Sequence, residues 1–356
     1  MPVISVRWCL EITAGGLAQL GERLAGSQKV RGSNPLSSTQ ISTLRDVSRT
    51  DEDGAEGRAD EWAWLDGRSI PRASLCLPVG DAGFVLGATV TEQLRTFAGR
   101  LFLPDLHAAR FRESLAVAGI VPTVSLDEIF AAADIVARHN HALGPTQSDL
   151  GVVIFATPGD QPSQHEGRRG TPRVAVHSFP LAFPLWAQAY EQGVSLRSVS
   201  IRQVPEDSWP LGLKCRSRMH YHLADREAEA AEQGSRAILC HADGRVSETS
   251  TANIAIVRDG TLLAPPPTDA LRGVSLHYLR QLAEARGIQW REESLRSATL
   301  AAADEILLSS TPNCLLPATR FDGLPVGAGR PGPLYRRLLA AWSESVGVDI
   351  AGQAQS

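Results

Sequence analysis

Two side chains in the second half of the chain could together perform covalent and acid–base chemistry. Lys214 carries an amine that acts as a nucleophile or a base only when neutral, which requires desolvation or nearby positive charge. Glu248 follows in the stretch GRVSETSTANIAI, with Asn253 five residues after it. Each residue alone is typical of an exposed position. The combination is more informative than either residue, because the stretches LRGVSLHYLRQLAEARGI and ADEILLSSTPNCLLPAT follow in order.

Turn residues and hydrophobic periodicity predict the elements that position these side chains. Asp-Gly pairs favour tight hairpin turns, and a glycine after an apolar helical period indicates where the helix stops. In the second half we predict a helix over 214–233, strands over 236–241, 245–248 and 253–258, and a helix over 274–286. In the first half we predict a strand pair within 64–68, helices over 105–119 and 126–142, a strand over 151–156 and a loop over 157–172.

Hairpins mixed with helices, without a run of βαβ units, predict an α+β protein. The stretch SFPLAFPLWAQAY at 178–190 contains two prolines and no clear period, which is typical of a connection between domains. We therefore expect a small α/β domain over residues 62–180 and a linker over 181–189. A large domain over 190–350 would then carry Lys214.

The beginning of the chain reads differently from the rest. Residues 43–60 are polar and charged, and they offer little to bury. Residues 17–23 and 32–35 can be encoded by the D-arm and T-arm of a transfer RNA gene. We hypothesise that the start codon was assigned too early, across a neighbouring tRNA gene; a disordered tail is the alternative. In both cases residues 1–61 are a non-native or disordered extension, and the genomic DNA distinguishes the two.

The composition argues against several kinds of partner. The net charge of −4 offers no basic field for nucleic acid. Five scattered cysteines without a C-x-x-C pair argue against disulfides and structural zinc, and they favour a cytoplasmic protein. No apolar run approaches the roughly 20 residues that span a bilayer, so no membrane partner is expected. His220 and His222 would point apart on a helix, so we predict no metal site.

Taken in order, these motifs resemble the class IV aminotransferase family, which includes branched-chain and D-amino-acid aminotransferases. The family shows a lysine, G-x-V-x-E-x-x-x-x-N, L-x-G-[IV]-[TS] opening a helix, and A-D-E-[VIL]-[FL]-[LM]-[ST]-x-[TS]. The first half resembles it as well, because DAGFVLGATVTEQLRTFAGRLFLPDLHAARFRESLAVAGI matches D-x-G-[FY]-x-x-G-x-x-[VL]-x-E-x-x-R and H-x-x-R-[LF]-x-x-S. The resemblance covers about residues 62–345. It implies the family's two-domain α+β fold, pyridoxal 5'-phosphate as cofactor, and a homodimer.

The resemblance also implies a role for each site residue. Lys214 would form a Schiff base with the cofactor and move the α-proton of the substrate. Glu248 would keep the pyridine nitrogen protonated, and Asn253 would order the strand beside it. Arg110 would bind the cofactor phosphate with its planar fork. Further phosphate contacts would come from Val274 and Ser275, which open a helix, and from Thr311.

Two departures from the family pattern affect these assignments. The family has a tyrosine five or six residues after the lysine, in contact with the phenolic oxygen of the cofactor. Here His220 lies at six and Tyr221 at seven, and either could serve; Tyr221 is our candidate. In branched-chain enzymes the amide after the threonine helps to hold the substrate carboxylate. Pro312 follows Thr311 here and has no N–H.

The resemblance favours reversible amino transfer between an amino acid and a 2-oxo acid. A lyase on the same scaffold, 4-amino-4-deoxychorismate lyase, shares the cofactor and the lysine, so the motifs do not separate the two. A non-catalytic protein with this fold is the third possibility. The preferred amino acid and its L or D form are not specified by any motif.

Overall fold

The computed structural model describes residues 60–145 and 148–355. They form two β-sheets with helices packed against them. Almost all of the predicted N-terminal extension lies outside the described residues, so that hypothesis stays open. Within the described part of the chain, no helix is long and apolar enough to cross a membrane. The cytoplasmic location stays a prediction.

The first sheet has six strands, all paired antiparallel, in the order β2-β1-β6-β5-β3-β4. Its strands are β1 (Trp62–Leu65), β2 (Arg68–Pro71), β3 (Val90–Phe97), β4 (Arg100–Leu101), β5 (Leu150–Thr157) and β6 (Arg173–Pro180). The helices of this part are α1 (Ala82–Val85), α2 (Pro104–Ala118) and α3 (Leu126–Leu143). A 3-10 turn follows β2 at Arg72–Ser74, and another lies at Pro162–Gln164 in the loop before β6.

Local sequence signals account for these elements. The β1–β2 hairpin turns at Asp66 and Gly67, both of which have positive φ angles. Helix α2 ends at Gly119, whose left-handed φ of 65° suits a residue without a side chain. Helix α3 begins with a capping box between Ser125 and Glu128. Its apolar face and that of α2 cover one face of the sheet and enclose a buried core.

The second sheet has nine strands in the order β12-β11-β10-β13-β14-β7-β8-β9, with β15 paired to β14. Its strands are β7 (Val194–Arg202), β8 (Arg236–Cys240), β9 (Val246–Thr249), β10 (Asn253–Arg258), β11 (Thr261–Ala264), β12 (Trp290–Glu292), β13 (Glu305–Ser310), β14 (Cys314–Phe321) and β15 (Leu324–Pro325). Its helices are α4 (Phe183–Gln192), α5 (Met219–Ala231), α6 (Val274–Ala285), α7 (Ser297–Ala301), α8 (Pro333–Val346) and α9 (Ile350–Gln353).

Two apolar layers hold this sheet in place. Helices α6 and α8 bury Leu279, Leu338 and Trp342 against the central strands, in the larger core of the chain. Helix α5 packs on β7 and β8 through Ala224 and Ala228, whose small side chains allow close approach. The strands that end near α5 and α6 therefore have fixed positions, and these ends carry the site described below.

Two predicted elements differ from the structure. The helix predicted over 214–233 begins only at Met219, because the segment from Lys214 to Ser217 is held by the first sheet instead. The segment expected as a linker over 181–189 mostly forms helix α4, whose apolar residues Phe183, Trp186 and Ala189 pack on the larger core. Helix α4 lies between the last strand of one sheet and the first strand of the other, and the predicted domain boundary stays a prediction.

Candidate active site

A cavity of about 260 Å³ contains every residue that the sequence predicted for the site. Its walls come from the start of β3, the segment before α5, the β9–β10 turn, the start of α6 and the β13–β14 turn. Residues as distant in sequence as Thr91 and Pro312 thus converge on one space. The predicted residues in its walls are Arg110, Lys214, Tyr221, Glu248, Val274, Ser275 and Thr311.

The backbone of Lys214 is fastened to the first sheet. Its N–H donates to the Ser114 hydroxyl at 3.2 Å, and its carbonyl accepts from the N–H of Thr91 at 3.0 Å. Two residues later the N–H of Arg216 donates to the Thr89 carbonyl at 2.8 Å. These bonds extend the edge of β3 by a short bridge and prevent helix formation at this position.

The amine of Lys214 has an environment that favours its neutral form. Burial and the guanidinium of Arg110 lower its pKa to about 8. Glu92 and Glu248 act in the opposite direction but do not compensate. With this pKa the amine is mostly protonated at pH 7, but its neutral fraction is far larger than that of a lysine with the usual pKa of 10.5. A nucleophile or general base requires that neutral form.

Glu248 on β9 is buried, and both of its carboxylate oxygens accept hydrogen bonds. The Tyr221 hydroxyl donates to Oε1 at 2.7 Å, and the Asn253 amide donates to Oε2 at 3.0 Å. Burial nevertheless raises the pKa of Glu248, because these bonds and the nearby cations only partly offset desolvation. Tyr221 itself accepts from Gln203 at 3.0 Å. Glu248 would therefore be stabilised as an anion by a cationic group placed against it.

Arg110 is paired with the buried carboxylate of Glu92, the first residue of the E-x-x-R motif. Its Nε and Nη2 donate to the two oxygens of Glu92 at 2.8 and 2.7 Å, and Nη1 donates to the Arg272 carbonyl at 2.9 Å. His107 contacts the same carboxylate at 2.7 Å. Burial alone would raise the pKa of Glu92, but Arg110 and His107 hold it at about 2. Glu92 thus fixes the orientation of Arg110.

Helix α6 begins at the cavity without a side-chain cap. Its first residues, Val274 and Ser275, are buried, and their amides belong to the first turn, where N–H groups have no helical acceptor. Gly273 precedes them because a Cβ at this position would lie 1.7 Å from Oδ1 of Asn253. That asparagine also donates to the Leu271 carbonyl at 2.9 Å. The close packing directs the uncapped helix terminus into the cavity, where it favours an anion.

The turn between β13 and β14 completes the wall. It carries Thr311 and Pro312, and it is braced by a bond of 2.7 Å from the Ser310 hydroxyl to the Asn313 side chain. The buried Arg95 donates to the Pro312 carbonyl at 3.0 Å. Because Pro312 has no N–H, this turn offers one amide fewer to a ligand than a turn without proline.

Sequence reasoning missed several residues in or beside the cavity. Glu92 and His107 were visible in the E-x-x-R and H-x-x-R motifs, but their role depends on a contact between a strand and a helix. Arg216 and Arg218 also line the cavity, and no motif marked them. His220 lies in the wall as well, with its ring 4.0 Å from that of Tyr221.

Comparison with known proteins identifies a family and several relatives of this chain. The family model described as amino-transferase class IV matches residues 89–321. D-alanine aminotransferase from Bacillus licheniformis is 28% identical over 286 residues, covering 79% of this chain and 96% of that protein. Branched-chain-amino-acid aminotransferase from Escherichia coli K12 is 27% identical over 289 residues, covering 79% and 92%.

Solved structures give the same result for the fold. The crystal structure of the Escherichia coli branched-chain enzyme superposes with a TM-score of 0.73 at 25% identity, covering 80% of this chain and 94% of that one. The branched-chain enzyme from Thermobaculum terrenum superposes with a TM-score of 0.72 at 22% identity, covering 83% and 95%. These matches confirm the predicted two-domain α+β fold.

Proposed function

The chain belongs to the class IV aminotransferases, and from that premise we propose that it transfers an amino group between an amino acid and a 2-oxo acid, with pyridoxal 5'-phosphate carried by Lys214. The observation that supports this most directly is the cavity itself, where the Lys214 amine, the buried Glu248 carboxylate and the uncapped start of α6 share one space. Solved relatives have been described in a pyridoxal-phosphate form and with pyridoxamine 5'-phosphate.

The donor set of the cavity fits this cofactor. Three of the five N–H groups of Arg110 are committed to Glu92 and Arg272, so two remain for a phosphate. The first amides of α6 and the hydroxyl of Thr311 would complete the phosphate site. Bound there, pyridoxal 5'-phosphate supplies an aldehyde carbon for the substrate nitrogen and a ring that withdraws electrons from the α-carbon.

Glu248 would lie against the ring nitrogen. Its raised pKa reflects a carboxylate that burial leaves short of positive charge, and a protonated ring nitrogen would supply that charge. Tyr221 and Asn253 hold its two oxygens in place, so the acid is oriented before any ligand arrives. Tyr221 is thereby a positioning residue for Glu248 in addition to a candidate contact of the cofactor's phenolic oxygen.

Lys214 would act twice, first as the covalent carrier and then as the base that removes the α-proton and returns it. With its pKa near 8, the amine can accept and release a proton near neutral pH. Because its backbone is bonded to Thr91 and Ser114, the amine is presented from a fixed point. The residues of the wall would hold the substrate close to it and exclude water.

The number of lysines makes the proposal sharply testable. The chain contains only Lys29 and Lys214. Reduction with borohydride in the presence of pyridoxal 5'-phosphate should attach the cofactor to the peptide of Lys214, and Lys214→Ala should abolish both the attachment and the visible absorption band. Lys29→Ala is the matched control and should change neither. Attachment elsewhere in the wild-type protein would contradict the assignment.

A panel of amino donors then tests the reaction. We expect glutamate to form from 2-oxoglutarate with at least one of D-alanine, leucine, isoleucine and valine, the donors suggested by the names of the relatives. Loss of Lys214 should reduce the rate by at least roughly 10²–10⁴-fold. An intact absorption band without transfer from any donor, together with release of pyruvate from aminodeoxychorismate, would favour the lyase instead.

We further propose a homodimer. Phe84 and Leu86 are 74% and 62% exposed, and Met219 on α5 is 67% exposed. The two segments are joined, because the Ser217 hydroxyl donates to the Gly87 carbonyl at 2.8 Å. This apolar surface adjoins Ser217 of the cavity wall, and it suits a second copy of the chain. Leu86→Glu should shift sedimentation from dimer to monomer, whereas the exposed polar substitution Arg138→Gln should not.

A further inference from the structure

Two arginines in the wall of the cavity take no part in the proposed cofactor binding or proton transfer. Arg216 and Arg218 follow the lysine at positions two and four, and both line the cavity. Arg218 donates a hydrogen bond to the Ser250 carbonyl, and its guanidinium lies 4.5 Å from the centre of the Tyr221 ring. Among the residues that the structure describes, the side chain of Arg216 is exposed and has no hydrogen bond or ion pair.

Cationic side chains outnumber acidic ones in this wall. The side chains lining the cavity include four cationic residues, Arg110, Lys214, Arg216 and Arg218, but a single acid, Glu248. Burial and the neighbouring Arg218 lower the pKa of Arg216, although an arginine keeps its proton in proteins. The same guanidinium of Arg218 also contributes to the lowered pKa of Lys214. Because both guanidinium groups line the same cavity, their like charges together favour a bound anion.

The turn that carries Thr311 offers few hydrogen-bond donors to an anion. A substrate with a carboxylate requires hydrogen-bond donors in the cavity. The residue after Thr311 is Pro312, which has no N–H and whose carbonyl accepts from Arg95. That turn therefore lacks one backbone donor. The free guanidinium of Arg216 has the planar geometry that binds a carboxylate through two hydrogen bonds.

We propose that Arg216 and Arg218 form the subsite that holds a carboxylate of the substrate. The inference rests on the proposed function, since it assigns the substrate end of the same cavity. Arg216 is the principal donor because its guanidinium is free, and Arg218 adds positive charge from a fixed position on Tyr221. The bound group is either the carboxylate next to the reacting carbon or a second carboxylate at the end of the side chain.

The test uses the full-length protein incubated with pyridoxal 5'-phosphate, and unreactive ligands that need no turnover. Isothermal titration calorimetry measures the binding of butyrate, which has one carboxylate, and glutarate, which has two. We expect Arg216→Gln to weaken binding by roughly tenfold to a hundredfold, the value of a charged hydrogen bond. Arg216→Lys should retain part of the affinity for these ligands, and Arg138→Gln on the exposed face of α3 should bind them like the wild type.

Comparison of the affinities for the two ligands identifies which substrate carboxylate the subsite binds. If both ligands weaken in Arg216→Gln, the subsite holds the carboxylate common to all substrates. If only glutarate weakens, the subsite reads a second carboxylate and selects dicarboxylic substrates. In either case the KM for the corresponding 2-oxo acid should rise in parallel while kcat changes by less than about twofold.

Unchanged affinity for both ligands in Arg216→Gln, with an intact cofactor band, would overturn the inference and leave the proposed function standing. Arg218→Gln provides a second check, because it should weaken the same ligands to a smaller extent. If the wild-type protein instead binds both carboxylates but never attaches the cofactor, the proposed function fails while the carboxylate subsite remains.

Discussion

Arg110 and Arg216 line the same cavity, but only the guanidinium of Arg110 is paired with a carboxylate of the described residues. Arg110 is 8% exposed and is bonded through two nitrogens to Glu92, a carboxylate that is itself fully buried. Arg216 has no such partner among the described residues. An arginine with a built-in carboxylate is oriented before a ligand binds, whereas an arginine without one remains free to bind a carboxylate that arrives from solution.

Removal of the carboxylate under Arg110 should have the largest effect on stability. Glu92→Gln leaves the Arg110 guanidinium buried without its counter-charge, and it replaces one of the two oxygens shared by Arg110 and His107 with an NH2 group that cannot accept. We expect the free energy of unfolding to fall by about 3–5 kcal/mol, measured by urea denaturation at pH 7. A loss below about 1 kcal/mol would mean that Arg110 is not held by this ion pair.

The same comparison predicts a specific dependence on pH. The pKa of Glu92 is lowered from 4.5 to about 2 in the folded protein, so its contribution to stability is fully present above about 4.5 and is lost as pH falls toward 2. The difference in unfolding free energy between wild type and Glu92→Gln should therefore narrow as the pH falls through this window. Parallel urea curves at pH 7, 4 and 3 measure the narrowing; a constant difference would argue against the assignment.

An intermediate effect is expected at the start of α6. In Gly273→Ala the new methyl group would meet Oδ1 of Asn253, so the asparagine must move away from Glu248. We expect a cost of about 1–3 kcal/mol in thermal or urea unfolding, together with weaker binding of pyridoxal 5'-phosphate. Gly212→Ala is the matched control, since a methyl group there meets nothing within 4 Å. Equal stability of both variants would contradict the close packing.

The smallest effect on stability should come from the unpaired arginine. Because Arg216 has no side-chain partner to lose among the described residues, Arg216→Gln should change the free energy of unfolding by less than about 0.5 kcal/mol. Comparison of its urea curve with that of Glu92→Gln separates an arginine that supports the fold from one kept for a ligand. A loss comparable with that of Glu92→Gln would mean that Arg216 has a structural partner after all.

Sequence alone was most informative where the signal was local. The turn at Asp66-Gly67 and the end of α2 at Gly119 depend on the backbone freedom of single residues, so both were predicted correctly. The start of α5 was placed too early at Lys214, because the bonds that hold this segment come from Thr89 and Thr91, far earlier in the chain. No periodicity contains that information.

The site shows the same division. Motifs in a fixed order predicted Lys214, Glu248 and Arg110, and the structure brings them into one cavity. The support of Arg110 by Glu92 required the contact of a strand with a helix. The free charge of Arg216 could not be predicted either, because the lack of a partner within the described residues is a property of the folded surroundings and leaves no trace in spacing.

The attachment of Lys214 to β3 has a mechanical consequence. The amine is anchored on a segment bonded to the first sheet, whereas Glu248 stands on β9 of the second sheet. Any movement of one sheet against the other would therefore change the distance between the Lys214 amine and the Glu248 carboxylate. This distance thus depends on the relative position of the two sheets. A spectroscopic probe that contacts both groups would report a change in that position.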